Sequence, residues 1–143
     1  MACRSVAPVP GETDLATILA SLRVDRRPET YTIVTRSESV SVADGIAAVV
    51  RESEGTSVVL TVGEARRRGW PVEFEATWLT IDVHTALEGV GLTAAISVAL
   101  AEHDIPCNVV AGYHHDHLLV PHDRADEAVT VLVSLGGEAD RDP

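Results

Sequence analysis

Trp78-Leu79-Thr80-Ile81-Asp82-Val83-His84-Thr85-Ala86-Leu87-Glu88-Gly89-Val90-Gly91-Leu92-Thr93-Ala94-Ala95-Ile96-Ser97-Val98-Ala99-Leu100 changes its periodicity once, and that change decides the fold. From Thr77 to Val83 apolar and polar residues alternate. Leu79, Ile81 and Val83 share one side, Trp78, Thr80 and Asp82 the other, which describes a β-strand. From Leu92 the apolar positions become Leu92, Ala95, Ile96, Ala99 and Leu100, a helical stripe ending near His103. The intervening loop carries Gly89 and Gly91. A helix that opens behind such a loop offers unpaired backbone N–H groups and the positive end of its dipole. That end holds a carboxylate or phosphate without a basic side chain. No catalytic machinery accompanies it, so the stretch points to binding or sensing and the chain reads as a non-enzyme.

Working outward, Pro106 restarts the chain as a strand from Cys107 to Gly112. His115-Asp116 is a hairpin turn, and His117 to Val120 returns. Asp123 caps a last helix reaching Leu135, with Ala128, Val129, Leu132 and Val133 inward. Upstream, Thr13 or Asp14 caps a helix whose apolar face is Leu15, Ile18, Leu19 and Leu22, and Pro28 breaks the pattern. Thr30 to Arg36 reads as a strand and Glu38 to Val42 as a short return strand. Ala43 to Ser53 has helical spacing, with Ile46, Val49 and Val50 inward and Gly55 closing it. Thr56 to Thr61 is a strand, and Gly63 to Arg68 a short helix ended by Gly69.

The two halves repeat: helix, strand, short return strand, helix. Each has three convincing strands, one fewer than a β-α-β-β-α-β unit needs. The expectation is an α+β fold of two ferredoxin-like units, 11–70 and 71–135, with antiparallel sheets and helices on one face. The first unit lacks its opening strand and the second its closing one, so side-by-side packing lets each cover an edge the other leaves unpaired. Residues 1–10 and 136–143 read as flexible tails.

The 143 residues suffice for one compact domain or two small ones sharing a core. With 45% hydrophobic residues, neither metal nor disulfide is needed for folding, and with 3% aromatics the core must be Val, Leu, Ile and Ala. A net charge of −11 repels nucleic acid and anionic membranes. The run Arg66-Arg67-Arg68 is a solvated helix end. The two cysteines, Cys3 and Cys107, form no disulfide framework, and no segment has the length of a signal peptide or membrane span. A reduced cytoplasm is the expected location.

Gly-Val-Gly-Leu-Thr-Ala-Ala-Ile-Ser (Gly89 to Ser97), Cys-Asn-Val-Val-Ala-Gly-Tyr-His-His-Asp-His (Cys107 to His117) and Gly11-Glu12-Thr13-Asp14-Leu15 resemble small bacterial tandem ACT-domain proteins. The subtype is also similar to the ACT modules of eukaryotic cytosolic arginine sensors. The resemblance implies a regulatory module that binds an amino acid or similar metabolite. It puts the site where the loop after the first strand meets the second strand of a neighbouring unit. On this chain the loop is Glu88, Gly89, Val90, Gly91 and Leu92, and the strand is Ile105, Cys107, Asn108 and Val109. Amides around Gly91 to Thr93 suit a ligand carboxylate, and the Asn108 side chain or Asp104 an ammonium. A bulky β-branched residue at Gly91 is expected to abolish binding and leave the fold largely intact. The first unit lacks a glycine loop before Asp14, so one site, or one per interface, is expected.

Plainer readings stand beside these. Gly89 and Gly91 also serve to turn the chain and let helix and sheet approach. His114-His115-Asp116-His117 invites a metal, but a turn there splays the imidazoles and no Cys or Glu stands at ligand spacing, so none is expected. Cys107 is a small buried hydrophobe, and His84 with Asp82 is no triad. The expected partner is a small molecule at a homodimer interface, with no cofactor. The alternative is a protein-interaction or oligomerisation domain with no small ligand.

Overall fold

The computed structural model describes residues 14–83 and 90–138. Along the chain run α1 (Leu15–Ala20), β1 (Arg23–Arg36), β2 (Ile46–Arg51), β3 (Thr56–Thr61), α2 (Val62–Arg67), β4 (Ala76–Asp82), α3 (Leu92–Glu102), β5 (Asn108–Ala111), β6 (Asp116–Pro121), a 3-10 turn (His122–Arg124) and α4 (Ala125–Glu138). The six strands form one sheet ordered β2-β3-β1-β4-β6-β5, antiparallel at every step. β1 and β4 meet at its centre. Tyr31 stands opposite both Thr61 and Ala76, and Ala76 opposite both Tyr31 and Pro121. Each half thus contributes three strands and uses the first strand of the other as its fourth, giving two ferredoxin-like units in one sheet.

Directly opposed residues share a face, so the register sorts the side chains. Thr30, Thr32, Val34, Val58, Leu60, Thr77, Leu79, Ile81, Leu118 and Val120 point to one side. Over the second half this side is covered by α1, α3 and α4, through Ile18, Leu92, Ile96, Leu100, Ala128 and Leu132. Over the first half the cover is thinner: Ala65 of α2, with Val40, Trp70 and Val72 from connecting segments. The opposite side carries Tyr31, Ile33, Val59, Trp78, Leu119 and Val110, and none of the described helices packs there.

Four expectations are corrected. The first half has its opening strand, β1, and lacks its closing one, whose place β4 takes. Residues 46–51 are a strand, not part of a helix. A register shift between Ile46 and Ala48 leaves Ile46 opposite Leu60 and Val49 opposite Val58. Two apolar residues three apart therefore face the same core, which imitates helical spacing. Residues 38–42 form no strand. They belong to the crossover 37–45, which joins β1 to β2 along the helix-bearing side. Nine residues span about 30 Å when extended but only about 14 Å as a helix, so only a strap can traverse the sheet. Finally, Pro28 does not end a segment: β1 begins at Arg23, and Arg27-Pro28-Glu29 bulges opposite Trp78 alone. A bulge tolerates a residue with no N–H to donate.

The helix ends follow ordinary rules. Asp14 caps α1, accepting from the Thr17 amide at 3.0 Å and its hydroxyl at 2.7 Å, which holds the Asp14 carboxyl below its usual range. Thr61 caps α2 by accepting from the Glu64 amide. Asp123 lies within the 3-10 turn that leads into α4, where a capping role was expected.

Candidate functional site: the N-terminal corner of α3

Glu88 and Gly89 lie outside the described residues, so the corner is built from Val90 onward. Gly91 occupies the N-cap of α3 at φ 103°, and no side chain caps the helix. The left-handed backbone explains glycine there. The carbonyl of Gly91 accepts the first helical bond, from the Ala95 amide at 2.9 Å, which leaves the amides of the first turn without helical partners. Val90 is 83% exposed, whereas Leu92 turns inward and is 7% exposed. Leu92 therefore anchors the corner with its side chain and offers only its amide. Thr93 donates to an Asp116 carboxylate oxygen at 3.5 Å, which brings β6 up beside the same turn.

A neighbour not anticipated from sequence stands over Gly91. A Cβ built on Gly91 would lie 3.1 Å from Cδ2 of Leu15. From there a shallow groove of about 490 Å³ follows the outer side of α3, walled by Leu15, Ala94, Val98 and Leu135 and ending at Glu102. Leu15 showed in the sequence only as one apolar position of α1; nothing local indicated that α1 packs across the start of α3.

The other expected residues gather at the far end of α3. Asp104 has φ 54° and terminates the helix: its amide donates to the Ala101 carbonyl, and the Ile105 amide to the Leu100 carbonyl. These are the two bonds of a Schellman stop, sealed by apolar contact between Ile105 and Leu100. Ile105 is 3% exposed. Cys107 is half-buried against the same core, and burial pushes its thiol up to about 11. Asn108 is exposed and stands opposite Leu119, so it faces the helix-free side; Val109 stands opposite Leu118 and faces the other. The 11 residues of α3 span about 16 Å. Within one chain, Val90, Gly91 and Leu92 are thus far from Asp104, Ile105, Cys107, Asn108 and Val109.

Among the described residues, no three His, Cys, Asp or Glu side chains are grouped to hold a metal. His117 instead joins Trp78 and Thr80 on the helix-free side. The Trp78 indole N–H is 3.2 Å from both the Thr80 hydroxyl and His117 Nδ1, and the latter two are 2.9 Å apart. The alternation of β4 pairs Trp78 with Thr80, but His117 joins them only through the β4–β6 register.

Comparison with known proteins completes the description. The family model for the ACT domain matches residues 73–134, and a second ACT-domain model matches residues 10–77. A solved structure from Vibrio cholerae, described as a protein of unknown function and possible transport protein, is 34% identical. That alignment covers 85% of this chain and 95% of the other, at a TM-score of 0.76. The chain belongs to the ACT-domain family. It carries two ACT domains in tandem, and the shared six-stranded sheet is their pairing. Lower similarities concern the fold alone. Aspartokinase alpha and beta subunits align at 14% identity and TM-score 0.57, over 80% of this chain and 97% of the other. Clostridium acetobutylicum aspartate kinase, described as an allosteric enzyme, aligns at 9% identity and TM-score 0.56, over 80% of this chain and 34% of the kinase. No curated protein matches the chain. No described helix is long and apolar enough to cross a membrane.

Proposed function

We propose that this tandem ACT protein is a non-catalytic regulatory module of the cytoplasm that binds an amino acid or similar small metabolite between two copies of the chain. The observation that carries the reading is the start of α3: a left-handed glycine, no side-chain cap and an exposed Val90 at its mouth. Amides of the first turn take the ligand carboxylate. Asp104 and Asn108 lie a helix length away, so the ammonium acceptors come from β5 or its approach in the second copy. The strap 37–45 leaves the first ACT domain with no equivalent helix start, and the stoichiometry is one ligand per chain. Ligand shifts the assembly only as far as it prefers one arrangement of the copies.

The test is a thermal-shift and calorimetric panel of amino acids on wild type and Val90→Asp. A true ligand raises the melting temperature with its concentration. The added carboxylate at an exposed position weakens binding at least about tenfold, a cost of about 1.4 kcal/mol, and leaves the ligand-free melting temperature unchanged. A flat panel, or equal affinity in the variant, removes this site. Gly91 is the wrong place for the substitution: its positive φ and the Leu15 methyl at 3.1 Å make any side chain a change to the fold.

A second reading rests on α3 itself. LTAAISVALAE carries one charge in 11 residues, and Val98 is 57% exposed on its outer side. Its exposed side sets Val98 and two alanines among Thr93, Ser97 and Glu102, a weakly polar surface that a second copy can cover. A flat ligand panel together with a stable dimer favours an assembly domain with no small ligand.

A further inference from the structure

The helix-free side of the sheet holds a polar group bordered by aromatic rings, and its hydrogen bonds are all met when His117 Nδ1 accepts. The Trp78 indole nitrogen can only donate. Its neighbour at 3.2 Å, His117 Nδ1, is placed to accept from it, with the ring proton then on Nε2. The Thr80 hydroxyl, 2.9 Å from the same nitrogen, serves as a second donor and accepts in turn from Trp78. The Trp78 ring is packed between Tyr31 at 5.4 Å and His117 at 4.9 Å between centroids, and is 2% exposed. Its outer side is closed by Arg27, whose guanidinium lies 4.3 Å from the ring centroid and donates to the Tyr31 hydroxyl at 3.2 Å. Arg27 reaches this position because the Arg27-Pro28-Glu29 bulge swells out opposite Trp78.

We propose that His117 and Arg27 form a proton-operated latch over Trp78 on the helix-free face. A proton on Nδ1 turns an acceptor towards the Trp78 N–H into a donor. The indole bond breaks, Thr80 must reverse, and a second cation stands beside the ring that Arg27 covers. Arg27 then leaves, and Tyr31, Trp78 and Leu119 become accessible. The surrounding charges set the threshold. Burial, Arg27 and the nearby His115 hold the His117 imidazole below its ordinary value of 6.5, while Asp116 opposes them. Arg23, Asp25 and Asp82 lie on the same side of β1 and β4, with Arg23 opposite Asp82 and Asp25 opposite Thr80, and Tyr31 is a further titratable group, packed on Trp78. The partner strand β5 contributes only Val110 opposite His117. The latch is independent of the α3 corner.

The test follows the Trp78 indole N–H resonance of the full-length protein by NMR between about pH 8 and about pH 5, in wild type and in His117→Asn. Asparagine offers an amide oxygen close to the place of Nδ1 and cannot take up the proton. The expected result is a wild-type resonance that moves with a midpoint below 6.5 and a resonance in His117→Asn that does not. In parallel, in a Trp70→Phe background that leaves Trp78 as the one tryptophan, acrylamide quenching rises on acidification, and with Arg27→Ala added it is already high at neutral pH. A stationary wild-type resonance, or the same titration in His117→Asn, overturns the proposal. Should His117→Asn fail to fold, the wild-type titration and the Arg27→Ala quenching decide it.

Discussion

Thr32 and Thr77 are the same position in the two ACT domains, and they have opposite fates. The register makes Tyr31 equivalent to Ala76 and Thr61 to Pro121, so Thr32 corresponds to Thr77 and Val62 to His122. The two threonines are the buried polar side chains among the described residues. Thr77 reaches His122 Nδ1 at 2.9 Å. The corresponding Val62 offers nothing, and the Thr32 hydroxyl has no partner among the described residues. The same contrast runs through the layer above the sheet. The second domain crosses from its first strand to its second by the full helix α3; the first crosses by a nine-residue strap. One half opens its first crossover with a helix start, and the other has none there.

The largest expected effects test whether the two covers differ in firmness. Leu100 and Leu60 are both fully buried. Leu100→Ala leaves its cavity between the sheet and three helices and should cost about 4 kcal/mol. Leu60→Ala lies under the short α2 and connecting segments that can settle inward, and about 2–3 kcal/mol is expected. Urea unfolding measures both, and equal losses would mean that the strap packs as firmly as the helix. Next come the left-handed glycines. Gly91→Val meets both positive φ and Leu15 and should lose more than 2 kcal/mol. Gly69→Ala, at φ 70° with nothing within 4 Å, loses about 1 kcal/mol.

Acid should find the halves at different pH. The folded-state value of His117 is depressed, so its contribution is present above 6.5 and fades as pH falls below it. Glu64 is held down to about 2 by its bonds to Arg67 and Arg68, so its contribution is present above 4.5 and is lost as pH falls towards 2. Melting temperatures of His117→Asn and Glu64→Gln against pH should part from wild type in those separate windows. The smallest effect carries the clearest sign. Thr32→Val removes an unpaired hydroxyl and should stabilise by about 1 kcal/mol, whereas Thr77→Val gives up a bond to His122 and should destabilise by about 1 kcal/mol. Two losses would show that Thr32 has a bonded partner.

The parts of this fold legible in the sequence are those whose signals are local. Thr56 to Thr61 is rich in β-branched residues and is β3 to the residue; the break at Leu92 marks the start of α3; Asp14 announces a cap and provides one. The illegible parts depend on distant partners. Ile46 and Val49 share a face because β2 is bulged against β3, and no window around them contains β3. Pro28 breaks a local pattern yet sits within β1 because the central pairing with β4 carries the strand past it. The site divides in the same way. Gly91 was visible as a helix entrance, but Leu15 above it, the outward turn of Asn108 and the inward turn of Leu92 follow from packing and register.

The exchange of β1 and β4 bears on how the chain can be taken apart. Opening the backbone between Gly69 and Glu75 would give two fragments, each missing the central strand that completes its own sheet. Neither should persist alone, and both expressed together should reassemble and melt in one transition. Duplicating or trading a single half would leave an unsatisfied edge where the other half's central strand now pairs.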